Sequence, residues 1–198
     1  ENIIFPKSVD IIASSNGSTA FEDVIWDNVY FTENAVLTVS SINAITLKNC
    51  YSEQTNTFNF SNINWVLFHN SQFQSPLNIE NTLTKNIPSW GINGAQFHSY
   101  STYQAGNVNY TADVAQEVVL NGCRWGWQNT TIPDSITIYA HNSYLRGNIT
   151  NNGTVYLRNS QCQSIIGGNI IYNNFDYQIS NTSNKTGTTV KQALDNIV

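Results

Sequence analysis

Charged side chains are scarce in this sequence: Asp, Glu, Lys and Arg make up only 11 % of its 198 residues. Eight Lys and Arg against 13 Asp and Glu give a net charge of −5. A protein that binds DNA or RNA needs basic residues to neutralise phosphates, so we expect no nucleic-acid partner. No run of about 18 apolar residues occurs either, and we expect no membrane span.

Cysteine is also rare, with only Cys50, Cys123 and Cys162. The odd count and wide spacing fit neither a disulfide scaffold nor a zinc site. We interpret the three as buried free thiols in a protein that assembles in a reducing compartment. The sequence contains no phosphate loop, nucleophile elbow or cofactor fingerprint, so we expect no cofactor.

What the sequence does contain is asparagine at repeated places in an apolar alternation. In VLFHNSQF (66–73), Asn70 lies between two stretches where apolar and polar residues alternate, and ITLKNCYS (45–52) and VYLRNSQC (155–162) share this form. A period of two predicts a short β-strand on each side. A sharp bend between them needs positive φ, which Gly adopts freely and Asn tolerates best among other residues. Asn70 is therefore predicted to be a corner.

The same pattern occurs eight times, always with Asn or Gly at the corner. The predicted corners are Asn28, Asn49, Asn70, Gly94, Gly122, Asn142, Asn159 and Asn174. One column of apolar residues two positions before the corner predicts an interior ladder that includes Trp26, Leu47, Phe68, Ile92 and Leu120. Strand pairs that repeat about every 20 residues predict an all-β solenoid of about eight stacked coils.

The C-terminal part of the chain differs from the coils. QISNTSNKTG (178–187) is typical of a linker, and Thr189 with Gln192 forms a capping box before an apolar stripe at helical spacing. We predict a β-helix domain over 1–177, with regular coils from about residue 24, and a linker with a short helix over 178–198 that leads to a further domain. Since the chain begins at Glu1 without Met, we expect it to be a piece of a longer protein.

One interval between corners, Gly94 to Gly122, is 28 residues long and predicts an excursion from the solenoid at His98–Glu117. Exposed aromatic rings with polar neighbours suit sugars, whose C–H faces stack on such rings. The predicted glycan-binding residues are His98, Tyr100, Tyr103, Tyr110, Arg124 and Trp127. The alternative is that these tyrosines pack the excursion onto the solenoid or onto a neighbouring chain.

Catalytic groups are harder to find. Glycosidases use two carboxylates about 5 to 9 Å apart, and the only close candidates in the irregular coil are Asp113 and Glu117. The alternative for this pair is an ordinary solvated surface. His69 and His141 occupy one outward column but lie three coils apart, so we predict no metal site.

The segment TGTTVKQALDNIV (186–198) resembles the Thr-Val-x-x-Ala-Leu-Asp segment found at domain junctions of bacteriophage tail spikes and tail fibres. The coils resemble the right-handed parallel β-helix of tail spikes and pectate-lyase-like proteins. This resemblance implies a homotrimer in the virion, assembled in the host cytoplasm, that contacts other tail proteins and recognises or degrades a bacterial surface polysaccharide. Within such a trimer, one outward column that is unusually apolar is expected to form the subunit interface: Ile25, Thr46, Leu67, Val119, Tyr139, Tyr156 and Ile171.

Three functions are compatible with these features. The first is a structural and receptor-binding segment of a tail spike or fibre, and the second is a fragment of a polysaccharide depolymerase, either a glycoside hydrolase or a lyase. The third is a bacterial or eukaryotic surface β-solenoid, prompted by glycosylation sequons at Asn109, Asn148 and Asn181. Scattered carboxylates favour the first.

Overall fold

The computed structural model of the chain describes residues 3–5, 9–12, 23–82, 94–126 and 129–172, the first two ranges as backbone only. The described residues form β-strands and no helix, and therefore no helix that could cross a membrane. The strands are β1 (Ile3–Phe5), β2 (Val9–Ile12), β3 (Asp23–Asp27), β4 (Val29–Phe31), β5 (Val36–Ser40), β6 (Ala44–Lys48), β7 (Tyr51–Ser52), β8 (Thr57–Ser61), β9 (Trp65–His69), β10 (Gln72–Phe73), β11 (Leu77–Asn81), β12 (Ala95–Tyr100), β13 (Tyr103–Gln104), β14 (Val108–Ala112), β15 (Gln116–Asn121), β16 (Arg124–Trp125), β17 (Thr130–Ile132), β18 (Ile136–His141), β19 (Tyr144–Asn151), β20 (Thr154–Arg158), β21 (Gln161–Ile166) and β22 (Asn169–Tyr172).

These strands form three parallel sheets, which we call A, B and C. Sheet C has eight strands from β3 to β22, sheet B has five from β2 to β14, and sheet A has nine that include β4, β7 and β10. From β3 to β14 the chain passes through C, A and B in each turn and then returns to C beside its previous strand, and from β15 to β22 its strands belong to C and A only. The predicted parallel β-solenoid is confirmed.

The described strands make about six turns of this solenoid. At the two ends, β1, β2 and β20 to β22 extend the sheets without completing further turns. The number of about eight coils therefore stays a prediction. The predicted linker and C-terminal helix lie outside the described residues.

Alternation of apolar and polar residues explains why each strand has one buried side. In β9, Val66 and Phe68 are buried whereas Trp65 is exposed. Parallel pairing aligns Val66 with Ile45 of the previous turn and Phe97 of the next. Apolar side chains of successive turns therefore stack inward and form one continuous core.

Phenylalanines from all three sheets meet at the centre of that core. The ring of Phe68 in sheet C lies 4.6 Å from that of Phe73 in sheet A and 5.8 Å from that of Phe60 in sheet B, measured between centroids. Phe97 of the next turn completes the contact at 5.1 Å. These rings join the three sheets, since full burial of one such side chain contributes about 1.5–3 kcal/mol.

A residue with positive φ stands at each of the seven places where the described chain passes from sheet C to sheet A. These corner residues are Asn28 (59°), Asn49 (51°), Asn70 (45°), Ser101 (47°), Gly122 (66°), Asn142 (48°) and Asn159 (48°). Asparagine also links neighbouring corners, because the Asn70 amide donates to Oδ1 of Asn49 at 2.9 Å. Asn174, also predicted as a corner, lies outside the described residues.

The structure corrects one predicted corner: Ser101, and not Gly94, belongs to this column. The backbone N–H of Asn70 donates to the carbonyl of Tyr100, and that of Ser101 donates to the carbonyl of Asn121, which fixes the alignment of the three turns. Gly94 also has positive φ, at 95°, but it stands where sheet B leads into sheet C. A Cβ there would lie 1.7 Å from the Ala115 carbonyl oxygen, so this position requires glycine because no side chain fits.

This correction moves the irregular coil. The fourth turn places Phe97 and Ser99 inward, and Ile92, which was predicted in the interior ladder, lies outside the described residues. Residues 98–117, predicted as an excursion, belong to β12, β13, β14 and β15 and to the short connections between them. The longest interval between corners is instead the 31 residues from Asn70 to Ser101, which includes residues 83–93, outside the described residues.

Cysteine is confirmed as free thiol at all three positions, with Cys50 and Cys123 buried and Cys162 half-buried. Cys50 and Cys123 follow a corner directly, and serine occupies the same position in other turns. Ser71 Oγ accepts a hydrogen bond from the backbone N–H of Cys50 at 3.0 Å, which ties one turn to the next. Burial raises the pKa of the Cys50 thiol, which keeps it protonated and inert.

Replacing Asn70 by Ala should lower the free energy of unfolding by about 1–2 kcal/mol, because the left-handed conformation strains any residue with an ordinary Cβ. Replacing the same residue by Gly should cost less than half as much, although both variants lose the amide bond to Asn49. Urea unfolding of the two variants measures the difference. Equal losses would show that the corner conformation is not the reason for asparagine here.

Candidate functional site

The outer face of sheet A carries a column of aromatic, amide and guanidinium side chains. Parallel pairing aligns one outward residue from each turn, about 4.8 Å from the next. The column consists of Tyr30, Tyr51, Gln72, Tyr103, Arg124, Tyr144 and Gln161. Such a column combines flat apolar surfaces with hydrogen-bonding groups at regular intervals.

A groove of about 540 Å³ opens in the middle of this face, next to Tyr103. We call it the Tyr103 groove, and its lining residues are Gln54, Gln72, Gln74, Pro76, Tyr103, Ala105, Gly106 and Asn107. Its volume falls within the range of small-ligand sites, about 300–1,000 Å³. Its polar groups are amides and a phenol, and none of the lining residues is a carboxylate.

Several contacts hold the groove in shape. Gly106 packs so closely on the preceding turn that a Cβ there would lie 2.1 Å from the carbonyl oxygen of Ser75. The buried Gln104 amide donates to the same carbonyl at 2.8 Å. On the opposite side, the Gln74 amide donates to the Tyr51 hydroxyl at 2.8 Å. The site is thus preformed by the solenoid.

Two arginines meet at the ring of Tyr103. The exposed Arg124 guanidinium lies 5.6 Å from the ring centroid, and Arg146 donates to the Tyr103 hydroxyl at 3.0 Å. Arg124 covers the side of the ring toward the next turn, whereas Gln72 and Gln74, which line the groove, come from the previous turn. The ring is therefore held in place with its other side toward the groove.

Further along the column, Tyr30 and Tyr51 stack with centroids 5.1 Å apart and planes 15° from parallel. The Tyr30 hydroxyl donates to Oε1 of Glu53. This hydrogen bond is the main reason that the pKa of Tyr30 rises to about 12. These two rings extend the aromatic surface beyond the groove.

Replacing Glu53 by Gln should lower the pKa of Tyr30 from about 12 toward its ordinary value of 10.0. Because the folded-state pKa is raised, the bond stabilises the protein fully below pH 10 and its contribution is lost as the pH rises through about 12. Ultraviolet titration of tyrosinate in the native protein and the variant measures the shift, and Tyr30→Phe identifies the transition. Superimposable titration curves of native protein and Glu53→Gln would contradict this account.

The structure places one predicted glycan residue, Tyr103, in the groove, Arg124 against its ring, and two others on another face. Tyr103 and Arg124 lie together on sheet A, whereas His98 and Tyr100 point outward from sheet C. His98 Nδ1 lies 3.2 Å from the Tyr100 hydroxyl, and the Tyr100 ring stacks on His69 at 4.9 Å. Burial lowers the pKa of His98. This second aromatic group is half-buried and separated from the groove by the corner at Ser101.

Tyr110 is a core residue, which corrects its place among the predicted sugar contacts. It is only 8 % exposed, because it occupies an inward position of β14, and its hydroxyl accepts a hydrogen bond from Nε1 of Trp125 at 3.1 Å. Burial is the main reason that its pKa is raised. Trp127 lies outside the described residues.

The candidate catalytic carboxylates do not lie at the groove. Asp113 is in the turn after β14, and Glu117 is on β15 in sheet C, paired with Gln96 and Thr137. Within the described ranges, no group of three or more His, Cys, Asp and Glu side chains could hold a metal ion.

The amides of the groove were not predicted from the sequence: Gln54, Gln72, Gln74 and Asn107. A signal was present, since the residue two positions after each corner is Tyr, Gln or Arg in every described turn once Ser101 replaces Gly94. With Gly94 as the corner, Gln96 takes the place of Tyr103 in that column, so the column did not connect Tyr103 with Gln72.

Comparisons with known proteins give no identification: no protein-family model, curated protein sequence or solved structure matches the chain.

Proposed function

We propose that the chain is a structural and receptor-binding segment of a bacteriophage tail spike or tail fibre, and that it binds a bacterial surface polysaccharide at the Tyr103 groove. The observation that carries the proposal is the groove itself. It pairs a fixed aromatic ring with amides from Gln72 and Asn107 on a rigid surface. Sugar rings bind in this way, with the C–H face on the aromatic ring and the hydroxyls hydrogen-bonded to amides.

The tail assignment itself depends on the resemblance of residues 186–198 and on the solenoid, a scaffold that hosts many functions. In this proposal the β-helix is right-handed, three parallel copies associate, and the particle contacts other tail proteins in a virion assembled in the host cytoplasm.

The outer face of sheet C is the proposed subunit interface, because it exposes large apolar side chains. Ile25 is 68 % exposed and Trp65 is 40 % exposed. Tyr139 and Tyr156 stack there with centroids 4.9 Å apart. Because the groove lies on sheet A, a subunit interface on sheet C leaves the groove open in the proposed trimer.

Binding is favoured over cleavage by the chemistry of the groove. Hydrolysis of a glycosidic bond needs a carboxylic acid and a second carboxylate at the bond, and the lining residues supply neither. A depolymerase would need carboxylates from another part of the protein. The following experiment therefore also measures cleavage of the polysaccharide.

The test combines three measurements on the purified protein. We expect a mass of three chains of 22.1 kDa each, saturable binding to one or more purified bacterial surface polysaccharides, and no sustained release of reducing ends. Heat-unfolded protein serves as the control for nonspecific adsorption. Sustained release would favour the depolymerase, and absence of binding to every polysaccharide would overturn the receptor-binding role.

A further inference from the structure

We propose that the Tyr103 groove selects polysaccharides that carry carboxylate groups, such as those of uronic acids, and that Arg124 binds the carboxylate. This inference rests on the proposed function and adds the charge of the ligand. It follows from where the few basic residues of the chain are placed.

Positive charge is concentrated beside the groove, although the chain as a whole is negatively charged. The full sequence has only eight Lys and Arg and a net charge of −5, yet Arg124 and Arg146 both contact the single ring of Tyr103. The exposed guanidinium of Arg124, against the ring of Tyr103, attracts an anion to that side of the neutral groove, although the chain as a whole is negatively charged.

Arg124 is also available to a ligand. Lys48, another outward cation, forms an ion pair with Asp27 at 3.1 Å. Among the residues that the structure describes, no carboxylate lies at ion-pair distance from the Arg124 guanidinium. The guanidinium lies against the ring of Tyr103. A guanidinium stacked on an aromatic ring keeps its N–H groups at the edge, where a carboxylate can accept two parallel hydrogen bonds.

The geometry gives the two arginines different roles. Arg146 already donates to the Tyr103 hydroxyl and positions the ring, whereas Arg124 is exposed above it. A sugar whose ring stacks in the groove would therefore direct a carboxylate past the edge of Tyr103 toward Arg124. The neutral amides of Gln72 and Asn107 remain for the hydroxyls of the same or the next sugar.

The experiment uses purified uronic-acid-containing bacterial capsular polysaccharides, each in its native form and after chemical reduction of the carboxyl groups to alcohols. We expect the native form to bind about tenfold or more tightly than the reduced form, the size of one charge-assisted hydrogen bond. Arg124→Gln should remove this preference, so that the variant binds the native and the reduced form equally. Rising salt should weaken only the binding of the native form.

The matched control is Arg158→Gln, which removes the same charge from an exposed position at the end of β20, and its mass is measured to show that the trimer is kept, because sheet C is the proposed subunit interface. It should keep the preference for the native form. Equal binding of the two polysaccharide forms, or an Arg124→Gln variant that behaves like Arg158→Gln, would overturn the inference and leave the proposed function standing. Absence of binding to any polysaccharide, acidic or neutral, would overturn the proposed function and this inference with it.

Discussion

Replacing Phe68 by Ala should lower the free energy of unfolding by about 3–5 kcal/mol, the usual cost of deleting a large buried aromatic side chain. Phe68 is 0 % exposed and contacts rings from all three sheets, namely Phe60, Phe73 and Phe97. The loss includes the transfer of the ring to water and the cavity that remains, which the strands cannot close because their backbones are hydrogen-bonded on both sides.

Urea unfolding followed by circular dichroism measures this loss, and Val36→Ala is the control. Val36 is half-buried on the outward side of β5, so its truncation should cost under about 1 kcal/mol. If the Phe68 variant were no less stable than the Val36 variant, the assignment of inward and outward columns would be wrong.

Replacing Tyr103 by Ala should weaken polysaccharide binding about 30-fold, the effect of losing a central aromatic contact worth about 2 kcal/mol. The ring supplies the apolar wall of the groove, and its loss also frees Arg124 and Arg146 from their common contact. Tyr103→Phe keeps the ring and removes only the hydroxyl that Arg146 contacts, so it should retain most of the affinity.

The matched control for Tyr103 is Tyr100→Ala. Tyr100 is an outward, half-buried tyrosine three residues earlier, but it lies on sheet C, where it stacks on His69. Isothermal titration calorimetry of the variants with one bound polysaccharide compares them. A larger loss for Tyr100→Ala than for Tyr103→Ala would place the binding surface on sheet C.

The fold could be predicted because two strong local signals coincide in each turn. Alternation with a period of two specifies which side chains are buried, and a residue that tolerates positive φ marks the bend between sheets C and A. At Asn28, Asn49 and Asn70 both signals occur together, and the spacing of 21 residues follows directly from the sequence.

The fourth turn shows what local signals leave open. Gly94 satisfies the same steric rule as Asn70, but it does so at a different bend, where the Ala115 carbonyl leaves no space for a Cβ. Ser101 takes the corner although serine has no special preference for positive φ, because hydrogen bonds to the turns on both sides impose it. The register of the fourth turn is therefore set by pairing with the neighbouring turns and not by the local sequence.

The groove could not be predicted for a related reason. Its wall residues come from separate turns, with Gln72 and Tyr103 paired across β10 and β13 and Gln54 on an earlier connection. Tyr103, Arg124 and Tyr110 were predicted together as sugar contacts, and only the corrected register shows that Tyr103 and Arg124 lie near Gln72 whereas Tyr110 lies in the core.

The most direct test of the central claim is a crystal structure of the protein with a bound oligosaccharide from a polysaccharide that it recognises. The account predicts a sugar ring against Tyr103, hydroxyls at Gln72 or Asn107, and an acidic group beside Arg124. A sugar bound instead on the outer face of sheet C, at His98 and Tyr100, would contradict it.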